Sequence, residues 1–149
     1  MKTRILMVCL GNICRSPLAE GILKSKVDSN KIFVDSAGTA GYHVGNMPDI
    51  RSIAVAQKYG IDIHQQKSRK FTSKDFIAFD IIYAMDNSNY SNIISLAKNK
   101  EDISKVKRLL SEINIETKEV PDPYYDEDEG FEIVFQLIDK ACEAIAKKL

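Results

Sequence analysis

The chain predicts an α/β fold built on a parallel sheet flanked by helices, and three observations lead there. Ile5 to Val8 is an unbroken apolar run of strand length, the pattern of a central strand covered on both faces. A short loop and residues at helical spacing follow at once, and strand and helix patterns keep alternating further along. No internal repeat, low-complexity tract or linker interrupts the 149 residues, so one domain over 1–149 is expected.

Composition narrows the function classes. Hydrophobic residues make up 44% and charged residues 28%, and 21 Lys+Arg balance 21 Asp+Glu. That balance offers no long-range attraction for nucleic acid. After Met1-Lys2-Thr3-Arg4 the apolar stretch is too short for a secretory leader or a membrane span. Three cysteines, an odd number without CxxC spacing, argue against a secreted disulfide scaffold. The expectation is a cytoplasmic protein with reduced thiols, a monomer, with neither nucleic-acid nor membrane partners.

Taken in order, Ile5 to Val8 is the first strand and Cys9 to Ser16 the loop after it. Ser16 reads as a helix N-cap with Pro17 at the first helical position, and Leu18, Ala19, Ile22 and Leu23 carry the helix to about Val27. Ile32-Phe33-Val34 is a second strand leading into Asp35-Ser36-Ala37-Gly38-Thr39, which completes a right-handed βαβ unit. The loop from Thr39 to Met47 holds Tyr42. Pro48 opens a second helix through Tyr59, with Ile50, Ile53 and Ala54 as its apolar side and Gly60 beyond its end.

Gln65 to Lys70 reads as an exposed polar connection, and Thr72 to Asp75 caps a short helix ending near Phe79. Asp80 to Met85 is the third strand. Asp86 to Asn89 is turn and cap chemistry for a helix from about Tyr90 to Ala97, and Val106 to Leu110 is a weak fourth strand. Two prolines stiffen Val120-Pro121-Asp122-Pro123-Tyr124-Tyr125 into a loop that holds a carboxylate. Asp126 to Glu129 is a short acidic run that reads as solvated surface. From Phe131, the residues Val134, Phe135, Ile138, Cys142, Ile145 and Leu149 form one stripe of a closing helix, which places Cys142 in the core.

The chemistry is expected at Cys9-Leu10-Gly11-Asn12-Ile13-Cys14-Arg15-Ser16. A strand that breaks into a short loop and re-enters as a helix leaves backbone N–H groups unpaired and aims the positive end of the helix dipole at one point, which is an anion site. Cys9 at its base supplies a thiolate and Arg15 a planar cationic fork.

With its strand, Gly11 and the Ser-Pro helix start, this stretch resembles the low-molecular-weight protein tyrosine phosphatases. The likeness extends over nearly the whole chain, through Asp35-Ser36-Ala37-Gly38, Met85-Asp86 and Asp122-Pro123-Tyr124-Tyr125. It implies a three-layer α/β/α fold with a four-stranded parallel sheet, acting without metal or other cofactor on phosphotyrosine in proteins. Inorganic phosphate and vanadate are the expected site ligands.

In that reading Cys9 is the nucleophile, and Arg15 grips two oxygens of the transferring group. Asp122 is the acid that protonates the phenol and then the base for water. Leu10, Gly11, Asn12, Ile13, Cys14 and Ser16 surround the phosphate, and the Ser16 hydroxyl can stabilise the sulfur as a leaving group. Asn12 can adopt a left-handed conformation pinned by Ser36, a support that the resemblance implies. Tyr42, Tyr124 and Tyr125 are candidate walls for a flat ring.

Cys14, five residues after Cys9, is a fitting small residue or a redox guard that traps oxidised Cys9 as a disulfide. Tyr42 stands where vertebrate members often have tryptophan, and Gln66 rather than His64 occupies the place of a histidine they commonly carry.

Rival functions remain. Arsenate reductases on this scaffold relay oxidation through cysteines after the third strand, whereas this chain has no cysteine between Cys14 and Cys142. An arginine phosphatase is similar but has threonine at the place of Ile13, whose branched apolar side chain suits an aryl ring. A phosphocysteine carrier or noncatalytic phosphoprotein-binding module would have no use for Arg15 and Asp122 together with Cys9.

Overall fold

The computed structural model describes residues 2–124 and 127–149. Its framework is a four-stranded parallel sheet in the order β2-β1-β3-β4. The strands are β1 (Thr3–Cys9), β2 (Ile32–Gly38), β3 (Ile81–Ala84) and β4 (Val106–Arg108). Along β1 the side chains alternate, with Ile5, Met7 and Cys9 in one apolar cluster and Leu6 and Val8 in another. Burial on both faces explains why this strand shows no polar alternation.

Helices α1 (Arg15–Lys26), α2 (Ile50–Lys58) and α6 (Asp128–Lys148) pack together over the first face. The second face is covered by α3 (Asp75–Ala78) and α4 (Asn87–Ile94), through Phe76 and Ile93. A short α5 (Lys100–Ser104) precedes β4. No described helix is long and apolar enough to cross a membrane.

From β1 the chain passes to β2 on one side and later to β3 on the other. Such a reversal leaves a crevice at the C-terminal edge of the sheet, where ligands of open α/β folds bind. Cys9 is the last residue of β1, opposite Gly38 at the end of β2.

Several sequence expectations are corrected. Helix α1 starts at Arg15 with Cys14 as its cap, and no side chain caps it. Ser16 cannot cap because its hydroxyl is engaged by Cys9 and Asn12. Pro17 still lies in the first turn, where an N–H has no intrahelical partner. β2 runs on through Asp35-Ser36-Ala37-Gly38, since these residues pair with Leu6 to Cys9 and the ladder overrides their turn-like composition.

Helix α2 begins at Ile50 behind an Asp49 cap, whose Oδ1 accepts from Arg51 N at 2.9 Å. Its buried face is Ser52, Val55 and Ala56, and Ile50 is 76% exposed. Packing against α1 and α6 sets that face, which apolar spacing over so short a helix cannot. Gly60 lies at φ +78, as a residue just past a helix end often does.

α4 begins immediately after Asp86, which caps it by accepting from Asn89 N at 2.7 Å. β4 stops at Arg108 and Leu109–Glu112 forms a 3₁₀ turn. α5 was not anticipated, being five residues with none buried. α6 starts at Asp128, and its buried stripe ends at Ile145, with Leu149 exposed.

Candidate active site

The loop after β1 is a ring of backbone with its carbonyls tied outward. Cys9 O accepts from Thr39 N at 2.9 Å, Leu10 O from Ala40 N at 2.9 Å and Ile13 O from Asp49 N at 2.8 Å. Gly11 O accepts from Ser68 Oγ at 3.0 Å, and Cys14 O from Leu18 N at 3.4 Å. The amides of Leu10, Gly11, Ile13, Cys14 and Arg15 have no backbone acceptor among the described residues. Peptide planes whose oxygens face the scaffold turn their N–H groups the other way, which is the geometry of an anion nest. The N-terminus of the 12-residue α1 adds its dipole to the same point.

Asn12 makes the tight curve possible. It is the one non-glycine residue at positive φ among the described residues, at 57. Its Nδ2 donates to Ser16 Oγ at 2.7 Å and to Ser36 Oγ at 3.0 Å, and its Oδ1 accepts from Arg69 N at 3.0 Å. These bonds offset the cost of a left-handed conformation, which Asn tolerates better than most residues. Gly38 lets β2 approach the ring, because a Cβ there would lie 2.8 Å from Leu10 O. At the centre, Cys9 Sγ contacts Ser16 Oγ at 3.0 Å and accepts from Asn12 N at 3.3 Å.

Arg15 closes the ring from the helix side. It is 2% exposed, and its Nη1 donates to Asp86 Oδ2 at 2.7 Å and to Val120 O at 3.0 Å. Burial works against its charge, but the negative charges of Cys9, Asp86 and Asp122 outweigh burial and raise its pKa above the ordinary value. Nη2 lies 3.6 Å from Asp122 Oδ2. The Asp122 side chain is 40% exposed, at the mouth of the cavity. Its loop is stiffened by the flanking prolines and by Tyr124 N, which donates to Asp122 Oδ1 at 3.1 Å.

Cys9, Ile13, Arg15, Asp122, Tyr42 and Tyr124 all line one cavity, together with Leu10, Gly11, Cys14 and His43. Tyr42 is 79% exposed. The His43 ring lies between the two tyrosines, 6.5 Å from Tyr42 and 6.0 Å from Tyr124 between centroids. Tyr125 and the first residue of the acidic run, Asp126, lie outside the described residues. Cys14 is buried beside Cys9, and its pKa is pushed up to about 12 by burial and by the charges of Asp49, Cys9 and Asp122. Cys142 is buried in the core, and burial raises its pKa as well.

Sequence reasoning missed much of the scaffold. The stretch Gln65 to Lys70 is no idle connection. Ser68 is buried against Gly11 O, and Arg69 N holds Asn12. The Arg69 guanidinium meanwhile bridges Asp35 at 3.2 Å and Asp75 at 3.1 Å. Gln66 Nε2 donates to Pro17 O at 3.0 Å, whereas His64 pairs with Asp62. Asp86 as the partner of Arg15, His43 on the cavity wall, and Glu20, which accepts from Ser36 Oγ at 2.6 Å, were also missed. Asp49 and Arg51 complete the set, since Arg51 Nη2 donates to Tyr124 O at 2.8 Å and so ties α2 to the rim. Nothing in a linear pattern marks such residues, because each acts on a partner distant in sequence.

The chain is similar to known proteins along nearly its whole length. The family model described as low molecular weight phosphotyrosine protein phosphatase matches residues 4–149. The low molecular weight protein-tyrosine-phosphatase YfkJ of Bacillus subtilis is 40% identical over 95% of this chain and 92% of its own length. The crystal structure of a protein tyrosine phosphatase from Entamoeba histolytica, with Hepes in its active site, superposes with a TM-score of 0.93. It is 38% identical, covering 99% of this chain and 96% of that one. Wzb of Vibrio vulnificus, solved in complex with benzylphosphonate, superposes with a TM-score of 0.90 at 33% identity over 100% of both chains. A ring of inward amides around a cysteine, on a sheet of this topology and with sequence likeness from end to end, places the chain in the low molecular weight phosphotyrosine protein phosphatase family of enzymes.

Proposed function

We propose that this enzyme hydrolyses phosphotyrosine in proteins, and small aryl phosphates, through a phosphocysteine intermediate. The phosphoryl group occupies the ring of inward N–H groups, with Arg15 on two equatorial oxygens. Cys9 Sγ, as thiolate, attacks phosphorus, and the bond to the phenolic oxygen breaks. A phenol has a pKa of about 10, so its departure needs a proton, which Asp122 supplies. Asp122, now a carboxylate, takes a proton from the water that attacks the phosphocysteine, and the electron pair of the S–P bond returns to sulfur beside the Ser16 hydroxyl. The observation that carries this reading is the ring itself, with its carbonyls held outward, its amides inward and Cys9 at the centre.

The aryl preference rests on Ile13, Tyr42 and Tyr124 along the cavity, and the benzylphosphonate held by Wzb is a ring-bearing ligand of the same kind. Ile13 in place of threonine separates this reading from arginine dephosphorylation. The lack of any cysteine between Cys14 and Cys142 separates it from arsenate reduction. Free thiols at Cys9, Cys14 and Cys142 suit a reducing, cytoplasmic compartment. Cys14 can serve as the guard: sulfenic Cys9 and the Cys14 thiol condense to a disulfide and release water.

Trapping is the test. The wild-type chain is expected to hydrolyse p-nitrophenyl phosphate and phosphotyrosine peptides, with or without a chelator, and to be inhibited by vanadate. Cys9→Ser should bind an aryl phosphate without turning it over. Full activity in Cys9→Ala would refute the mechanism.

A further inference from the structure

Between α2 and α6 lies a groove of about 600 Å³ that the proposed reaction does not use. Its apolar surface comes from Ile50, Ala54 and Val55 of α2 and from Phe131 of α6. Val55 and Phe131 are buried and form its floor, whereas Ile50 stands 76% exposed. A large apolar side chain left in water over an apolar floor marks a contact surface, which one alone on a polar face would not.

The groove adjoins the active-site cavity. Arg51 lines the groove, and its Nη2 donates to the carbonyl of Tyr124, which lines the cavity. Asp49, the carboxylate that Arg51 holds, donates its N–H to Ile13 O of the ring at 2.8 Å. An extended peptide advances roughly 3.3 Å per residue, so a chain whose phosphotyrosine enters the cavity reaches the groove within a few residues.

The charges around the groove do not cancel. Lys58 Nζ is taken by Glu132 Oε1 at 2.7 Å, and Arg51 Nη2 by Asp49 Oδ2 at 2.9 Å. Asp128 and Glu129 remain, both exposed on the groove's edge and neither in an ion pair among the described residues, although Asp128 adds to the field on Arg51. The dipole of α6 favours carboxylates in its first turn, which explains their place on the helix but not beside an apolar floor. Two such patches joined by a two-fold contact would bring like charges together, which disfavours a second copy of this chain as the occupant.

We infer that the groove receives the segment of a protein substrate next to its phosphotyrosine, with an apolar side chain against Ile50 and Phe131 and a lysine or arginine at Asp128 and Glu129. This rests on the reading of the enzyme as one that hydrolyses phosphotyrosine in proteins. The ring and Asp122 deal with the phosphoryl group and the phenol, which are the same in every phosphotyrosine. The groove distinguishes one phosphotyrosine from another by an apolar and basic neighbour.

The experiment compares kcat/KM for phosphotyrosine peptides that carry an Ile-Lys pair, walked along either side of the phosphotyrosine, with the same peptides carrying Ser-Glu. At one placement the Ile-Lys peptide should be favoured about tenfold, mostly through KM, and the part due to lysine should shrink at high salt. Glu129→Lys should remove the preference for lysine and Ile50→Ser the preference for isoleucine. Both variants should hydrolyse p-nitrophenyl phosphate, which has no flanking residues, at the wild-type rate.

Equal kcat/KM at every placement overturns the groove from the wild-type chain alone, whether or not the variants fold. A preference that survives both substitutions, or a loss in both that p-nitrophenyl phosphate shares, overturns it as well. A dimer seen by light scattering and abolished by Ile50→Ser would give the face to a second copy. Hydrolysis blind to the flanking residues leaves the proposed reaction standing, whereas no hydrolysis of any phosphotyrosine peptide would overturn the reaction and the groove's occupant together.

Discussion

The ring from Cys9 to Ser16 and the rim of Tyr42, His43, Asp122 and Tyr124 meet in one cavity and are held in opposite ways. In the ring, Asn12, Arg15 and Ser16 are buried, and each makes several hydrogen bonds to a different element. In the rim, Tyr42 and Asp122 sit on exposed loops, and Asp122 Oδ2 reaches Arg15 only at 3.6 Å. A group that must stabilise developing charge gains from being fixed beforehand, since no reorganisation is then required during the reaction. Groups that admit a large substrate and pass protons to water need access, and loops on a rigid scaffold supply it. The difference predicts that damage to the ring reduces turnover for every substrate, whereas damage to the rim is selective.

The largest effect after loss of Cys9 is expected from Arg15→Lys. Lysine keeps the charge but cannot span Asp86, Val120 O and two phosphoryl oxygens at once. We expect kcat to fall roughly 10²- to 10³-fold for all aryl phosphates alike. A small or substrate-dependent loss would mean that the fork is not needed.

Asp122→Asn should lower turnover about 10²-fold or more for phenols of high pKa and much less for activated leaving groups. Equal losses across a leaving-group series would remove Asp122 from the acid role.

Tyr42→Ala should raise KM for phosphotyrosine peptides several-fold, which is about 1 kcal/mol, and leave kcat nearly unchanged. A fall in kcat without a change in KM would make Tyr42 part of the machinery and not a wall.

The smallest effect concerns the strut between α2 and the rim. Asp49 is held below the ordinary carboxylate range, chiefly by its bond to Arg51. Its contribution to stability is therefore complete above the unfolded-state pKa and lost as pH falls through the lower folded value. Asp49→Asn should cost less than about 1 kcal/mol at neutral pH, and that difference should vanish in acid. Thermal melts from pH 7 down to pH 2 check it; a difference that grows in acid contradicts the sign.

The parts legible in the sequence are those whose cause is local. The apolar run of β1, the prolines around Asp122 and the period of α6 each follow from neighbouring residues, and the structure places them close to where those patterns do. The polar residues Asp35 and Ser36 hid the end of β2, because only pairing with β1 makes them strand. Gln65 to Lys70 looked like an exposed connection because a polar run has no periodicity to show that Ser68 and Arg69 turn inward onto the ring.

By itself the sequence determined that an apolar strand, a short loop and a helix would follow one another, with a cysteine and an arginine at the two ends of the loop. These are consequences of chain order and of the limited choices open to each backbone. Only the tertiary structure decided which way the loop's peptide planes face, what holds Asn12 at positive φ and where Arg15 finds its counter-charges. Four of the outward carbonyls, those of Cys9, Leu10, Gly11 and Ile13, bond to residues from Thr39 to Ser68, and Arg15 bonds to Asp86 and Val120. Hydrogen bonds and ion pairs across such separations come into being only when the sheet brings their partners to one edge.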